Sequence, residues 1–447
     1  MSMSFILACE NGHRKIAELL LTNKEADPKY TDERGRTALH YAAHRGYLDI
    51  VKILVAEGAD LNYEDHVGET PLFFACLQKQ KQTALYLLEQ GAHTAINDKL
   101  GNSLLHLTAQ TGQTEVVARL LEGGMDVNLP NNSAQTPLLI AAGQFNKEVA
   151  QLLIHKGADV NATDKQGNTP LLFATQAKAL LMITLLLEQG ANVNQVNHAG
   201  ESALLLACYQ SNRMAVKLLT DHGADVLVST HTGLSPTWYA CSNNQKELVD
   251  LFLQHGVDVN YSKPLGEDTS SMNSYLDWVV SANDISVEAG FSLNTTYSYG
   301  GESLLHVAAK KGNLGMVKLL IDKGANINIQ DESGNTPLHY AAAAGKKDVV
   351  KYLLEQHADT GIVNVKEQKA MDYSNIKGLN EITELILKAS PPGTVAPPVA
   401  VNDTPAPPAA DLMAARKKAL LDLKELLDAG ILSQEEFDAE KTKILKG

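Results

Sequence analysis

The chain has 447 residues, of which 44% are apolar, 20% charged and only 5% aromatic, and its formal net charge is −14. That acidity argues against nucleic acid or an anionic membrane as the main partner, and no run approaches the roughly 18–20 apolar residues of a membrane span. So few aromatics imply a core of Leu, Ala, Val and Ile, as in stacked helices, although the length alone would allow about two to four domains.

The N-terminal FILAC (Phe5 to Cys9) resembles the end of a bacterial lipoprotein signal. No basic residue precedes it, however, and the apolar stretch is far shorter than a signal needs. The expectation is a cytoplasmic protein whose first unit starts at Met3.

Next comes GRTALHYAAHRG (35–46), which places Thr37, His40, His44 and Arg45 within nine residues. On a helix, His40 and His44 would share a face, an arrangement that suits two metal ligands. A repeat offers a different explanation. Equivalents of Thr37 stand at Thr70, Ser103, Thr136, Thr169, Ser202 and Ser235, and again at Ser303, Thr336 and Lys369, in steps of 33. Such a strict period means a solenoid rather than independent globules.

Each unit opens with Thr or Ser as helix N-cap, often followed by Pro at the first helical position, as in Thr70-Pro71 and Thr169-Pro170. A small-residue segment such as Ala42-Ala43 follows, then a second helix with an apolar stripe, for example Ile50, Val51, Ile53 and Leu54. That helix ends at a Gly 21 residues after the cap (Gly58 through Gly256, and Gly324), where a left-handed C′ residue is wanted.

The segment GNTPLHYAAAAGKKDVVKYLLEQHAD (334–359) strongly resembles an ankyrin repeat, and eleven or twelve such units cover residues 1–388. The resemblance implies an all-α solenoid of helix–turn–helix units joined by hairpin-like loops, whose usual business is binding other proteins. It also implies that the His three residues after the cap (His40, His106, His306, His339) bonds within and between units. These histidines are then scaffold rather than metal ligands. Cys9, Cys76, Cys208 and Cys241 share one register position, filled by Ala elsewhere, and read as small core residues. Their separation into different units speaks against disulfides or a metal site.

The middle units depart from this pattern. The His position holds Phe73, Leu139, Leu172, Leu205 and Trp238, and the Gly of the inter-helix turn becomes Lys79, Phe145, Lys178, Ser211 and Asn244. A non-Gly residue in a left-handed turn costs about 1 kcal/mol. Two explanations stand: drift in a long array, or a partner-binding section where loop rigidity is exchanged for apolar surface. Between Ser235 and Ser303 the spacing also breaks. Residues 263–300 read as an irregular unit with an enlarged loop (263–273), a shortened second helix ending at Gly290, and Trp278 as a contact or gap-filling residue, bending or breaking the solenoid.

By the resemblance, positions four, seven and eight after the cap face the concave side. The candidate protein-binding residues are Tyr41, His44, Arg45, Phe74, Gln78, Phe173, Tyr209, Gln210, Trp238, Tyr239 and Trp278. Large amphipathic side chains among polar ones are what binding hot spots use, although position four also suits packing between helices.

Residues 389–410 hold seven of the chain's fifteen prolines and form an extended, semi-rigid linker. In residues 411–447, Leu420, Leu423, Leu426 and Leu427 share a helical face; Gly430 ends that helix and Ser433, with Glu436, caps a second. LLDLKELLDAGILSQEEFDAEKTKIL (420–445) resembles the SHOCT domain, a short C-terminal helical hairpin found mainly in bacterial proteins. So small a hairpin needs a partner surface, either another copy, giving a homo-oligomer, the solenoid itself or a separate protein.

The functional expectation is a non-catalytic scaffold that holds a protein or peptide ligand, without cofactor or metal. A secreted effector that hooks a host protein is the alternative. No P-loop, GxGxxG, GxSxG or HExxH motif favours an enzyme.

Overall fold

The computed structural model describes residues 2–230, 233–262 and 301–390. Within them are 22 helices in eleven antiparallel pairs, numbered here as repeats 1–11. Repeats 1–4 are α1 (Ser2–Glu10) and α2 (Arg14–Thr22), α3 (Ala38–Arg45) and α4 (Leu48–Ala56), α5 (Pro71–Leu77) and α6 (Lys81–Glu89), and α7 (Leu104–Thr111) and α8 (Thr114–Glu122). Repeats 5–8 are α9 (Pro137–Gly143) and α10 (Lys147–His155), α11 (Pro170–Gln176) and α12 (Leu180–Glu188), α13 (Ala203–Tyr209) and α14 (Arg213–Asp221), and α15 (Pro236–Ser242) and α16 (Lys246–Gln254). Repeats 9–11 are α17 (Leu304–Lys311) and α18 (Leu314–Asp322), α19 (Pro337–Ala343) and α20 (Lys347–Glu355), and α21 (Ala370–Ile376) and α22 (Asn380–Ala389).

In repeats 2–10 the first helix starts where a Thr or Ser hydroxyl accepts an N-terminal N–H. Thr70 Oγ1 takes the Phe73 N–H at 3.3 Å and Ser202 Oγ takes that of Leu205 at 3.2 Å. In repeat 11, where Lys369 replaces the cap, Asp372 accepts the Lys369 N–H at 2.7 Å instead. First helices stack on first helices and second on second. The interface between them is filled by one side chain at a fixed position, Leu in repeats 2–7, 9 and 10 (Leu39 and Leu72 through Leu305 and Leu338) and Thr237 in repeat 8, each at most 1% exposed. Full burial of such a Leu side chain contributes about 1.5–3 kcal/mol, so a solenoid poor in aromatics still builds a continuous core.

Each repeat also turns through left-handed backbone at fixed places. The inter-helix turn uses Gly46 (φ +76°) or Gly112 (φ +76°) in some repeats, but Lys79 (φ +59°), Phe145 (φ +62°) and Lys178 (φ +60°) adopt the same conformation in others. The strain expected from sequence at these positions is therefore present. The four cysteines are free and buried, and burial pushes their thiols up to about 12.

The stack does not break at the irregular stretch. α15 packs directly on α17 and α16 on α18. At ordinary junctions an Asn side chain accepts a backbone N–H 31 residues ahead, as Asn62 does from His93 at 2.7 Å. Asn260 makes the same bond, at 2.8 Å, with the N–H of Asn326, 66 residues ahead. Ser262 pairs with Ser303 as Thr31 pairs with Thr37, and Lys323 meets Asp250 at 2.7 Å. Repeats 8 and 9 are therefore neighbours, with a full repeat's length of extra chain between their paired ends. The unit read at 263–300, its residue Trp278, the linker and the C-terminal hairpin lie outside the described residues.

Candidate protein-binding face

The histidine pair of GRTALHYAAHRG divides at once. His40 Nδ1 accepts the Thr37 backbone N–H at 3.0 Å, which leaves the ring proton on Nε2 to be donated to the Glu69 carbonyl of the next repeat at 3.1 Å. His106, His306 and His339 repeat the pattern, reaching the carbonyls of Gln135 (2.8 Å), Asn335 (2.9 Å) and Gln368 (3.1 Å). Both ring nitrogens are used, and burial holds all four imidazoles below the ordinary value of 6.5. These are neutral struts between loops. His44 instead is half-buried, its ring 5.8 Å from that of Phe74.

Where the strut is missing, apolar side chains take its place and go inside. Phe73, Leu139, Leu172 and Leu205 are at most 2% exposed and Trp238 is 6% exposed. At the His position these substitutions enlarge the core, whereas Phe145, in the inter-helix turn of repeat 5, is 61% exposed.

Position four also divides. The Tyr41 phenol donates to Asp32 at 2.6 Å, that of Tyr340 to Asp331 at 2.7 Å and that of Tyr373 to Gln368 at 2.7 Å. These phenols brace the loop of their own repeat. Phe74 is buried beneath the Arg36 guanidinium, 4.5 Å from its ring centroid, while Arg36 Nε bonds the buried Asp65 at 2.9 Å. Of the aromatic candidates, Phe74 and Trp238 thus lie in the interior and Tyr41 is committed to its loop.

A smaller set stays together at the surface. Tyr209 and Tyr239, on adjacent first helices α13 and α15, meet edge to face with centroids 4.7 Å apart. Among the described residues neither phenol oxygen has a hydrogen-bond partner. Both rings are half-buried, as is Phe173, and burial raises the Tyr209 phenol above its usual value. Gln210 Nε2 donates to the Gln176 carbonyl at 3.1 Å, and Gln78 is exposed. Arg45 is exposed and pairs with Glu10 of repeat 1 at 3.3 Å.

These repeat-to-repeat bonds fix the family. The profile of ankyrin repeats, described as three copies, matches residues 5–98, 92–164, 171–263 and 276–390. The chain belongs to the ankyrin-repeat family. The SHOCT profile, described as a short C-terminal domain, matches residues 416–445. No curated protein matches the chain.

Two sets of ankyrin-scaffold residues escaped the sequence reading. Gln113 Nε2 donates to the Cys76 carbonyl at 2.6 Å, and Asn146 and Gln245 reach the preceding repeat in the same way at 2.7 and 2.9 Å. These amides cap the C-terminal end of the neighbouring first helix. The Asp or Asn in most loops, for example Asp65, accepts two backbone N–H groups, from Val67 at 2.9 Å and Glu69 at 3.0 Å. Both recur at multiples of 33 residues in most repeats, with Ala179 and Thr230 among the exceptions, and a column-by-column reading of the repeat would have found them.

Ankyrin repeats serve protein–protein interaction, and no helix among the described residues is long and apolar enough to cross a membrane. Nor do these residues contain a group of three or more His, Cys, Asp or Glu arranged to hold a metal.

Proposed function

We propose that the chain is a non-catalytic cytoplasmic scaffold that binds a protein or peptide on the concave face of its middle repeats, and that residues 411–447 join copies into a homo-oligomer. The Tyr209–Tyr239 pair carries the first part. Elsewhere position-four phenols are tied to loops, whereas Tyr239 at position four and Tyr209 at position seven meet edge to face across a repeat junction, with no hydrogen-bond partner for either phenol among the described residues. Tyr combines a large apolar area with a polar tip, the combination enriched at hot spots.

The test is capture of partners from native lysate by the intact chain and by a Tyr209→Ala/Tyr239→Ala variant. Loss of a specific captured protein with an unchanged helical circular dichroism signal is expected; undiminished capture removes this site. Trp238 is left intact because truncating a buried Trp opens a cavity costing about 3–5 kcal/mol. For the hairpin, light scattering should give a mass that falls to one chain when residues 411–447 are deleted. A monomeric full-length protein refutes self-association.

A further inference from the structure

Along the edge formed by the inter-helix turns, the second helices carry ion pairs from repeat to repeat. A base at position eleven after the cap meets an acid at position twelve of the next repeat. Arg14 meets Asp49 at 3.5 Å, Arg213 meets Glu247 at 2.8 Å and Lys347 meets Glu381 at 2.8 Å, and Lys81 pairs with Glu115 in the same way. Position twelve is also acidic in repeats 5 and 10, as Glu148 and Asp348. Gln82 and Gly315 fill it in repeats 3 and 9, without a large apolar group.

Repeats 6 and 7 depart from this ladder. Their position-twelve residues are Leu181 and Met214, which are 68% and 67% exposed. Lys147 keeps its base at position eleven of repeat 5, but the place of its acid is taken by Leu181. In repeat 6 the base is replaced by Leu180, and the amide found at position ten in Gln113, Asn146 and Gln245 is replaced by Ala179. Position nine lies against position ten of the next repeat, since a Cβ on Gly46 would meet Gln80 and one on Gly112 would meet Asn146. The same relation sets the turn residue Phe145 beside the start of α12. Phe145 holds a left-handed backbone at φ +62° and is 61% exposed, so it bears strain without the burial that would offset it. The most exposed large apolar side chains of repeats 5–7 thus share one edge, and such clustering marks an interaction surface.

The charges around this edge are mostly positive, on a chain whose net charge is −14. Lys147, Lys178 and Lys217 have no ion-pair partner among the described residues. The neighbouring acids are Glu148, on the repeat 4 side, and Glu247, which is already paired with Arg213.

We propose that the inter-helix edge of repeats 5–7 docks a segment of a partner protein that combines carboxylates with large apolar side chains. The apolar groups cover Phe145, Leu181 and Met214. The carboxylates take the places that repeats 6 and 7 leave without an acid, and meet Lys147, Lys178 and Lys217. Apolar contact supplies most of the affinity, because exposed ion pairs contribute little; the lysines select the sign of the ligand and speed its approach. This edge is separate from the first-helix face of Tyr209 and Tyr239, and neither reading depends on the other.

The probe is a fluorescein-labelled peptide of three Gly-Asp-Phe-Glu-Leu units, titrated with the full-length protein and read by fluorescence polarisation. Saturable binding that weakens as salt is raised is expected. A peptide with Lys at the acidic positions, and one with Ser at the Phe and Leu positions, should each bind at least about tenfold more weakly. Leu181→Glu/Met214→Glu gives repeats 6 and 7 the acid that other repeats carry and should weaken binding by about tenfold with an unchanged melting curve. Phe145→Gly, which installs the residue of the unstrained turns, should weaken binding while raising the melting temperature, and it decides the matter if the double variant is destabilised. The proposal is overturned by no binding of the acidic peptide, by equal binding of the lysine or serine peptide, or by binding that is unchanged in both variants.

Discussion

Repeats 2, 4, 9 and 10 and repeats 3 and 5–8 reach one backbone by two different chemistries. The first group anchors its loops with a buried neutral histidine bonded to the next repeat and turns between helices on a glycine. The second places Phe, Leu or Trp where the histidine stood and forces Lys, Phe, Ser or Asn into the same left-handed turn. Both substitutions occur in the same five repeats. A solenoid thus accepts a polar or an apolar fastening at one site, provided that the side chain is buried and the capping hydroxyl is retained.

The largest expected effect separating the groups is on pH dependence. Above pH 6.5 the four struts are neutral whether the chain is folded or unfolded. Below it, the unfolded chain takes up protons that the folded one resists, because Nδ1 already accepts an N–H and burial lowers the folded values. Each histidine then removes up to about 1.4 kcal/mol of stability per pH unit, until its own folded value is passed. Urea midpoints should drop between about pH 7 and pH 5, and the drop should flatten when His40, His106, His306 and His339 are all replaced by Leu, the residue nature uses in repeats 5–7. An unchanged slope in that variant would break the comparison.

A smaller effect tests the turns. Lys178→Gly should raise stability by about 0.5–1 kcal/mol by relieving a left-handed lysine, with φ at +60°. Gly112→Ala should lower it by about 1–2 kcal/mol, since its Cβ would also stand 2.8 Å from Asn146 Oδ1. Urea unfolding of both variants sharpens the point; changes of the same sign would contradict it.

Much of the scaffold was legible because its determinants lie close together in sequence. The cap at Thr37 and the strut at His40 are three residues apart, and the left-handed turn at Lys79 is read from a missing Gly at a fixed offset. The candidate face was less legible. Tyr41 and Tyr239 share a register position, yet only Tyr41 has Asp32 in its loop, within reach of the phenol. Phe74 was buried by Arg36 and its neighbours in repeat 2, and nothing in the helix carrying Phe74 announces that.

The sequence by itself determined the all-α ankyrin period, the caps, the cysteines as core and the positions of backbone strain, because these follow from helix geometry within one repeat. Tertiary structure alone decided that repeat 8 continues into repeat 9 across a sequence gap, and which aromatics stay outside. Those outcomes depend on bonds from Asn260 to Asn326 and from one helix to the next. The groups that satisfy such bonds belong to neighbouring units, whose contacts exist only once the stack has formed.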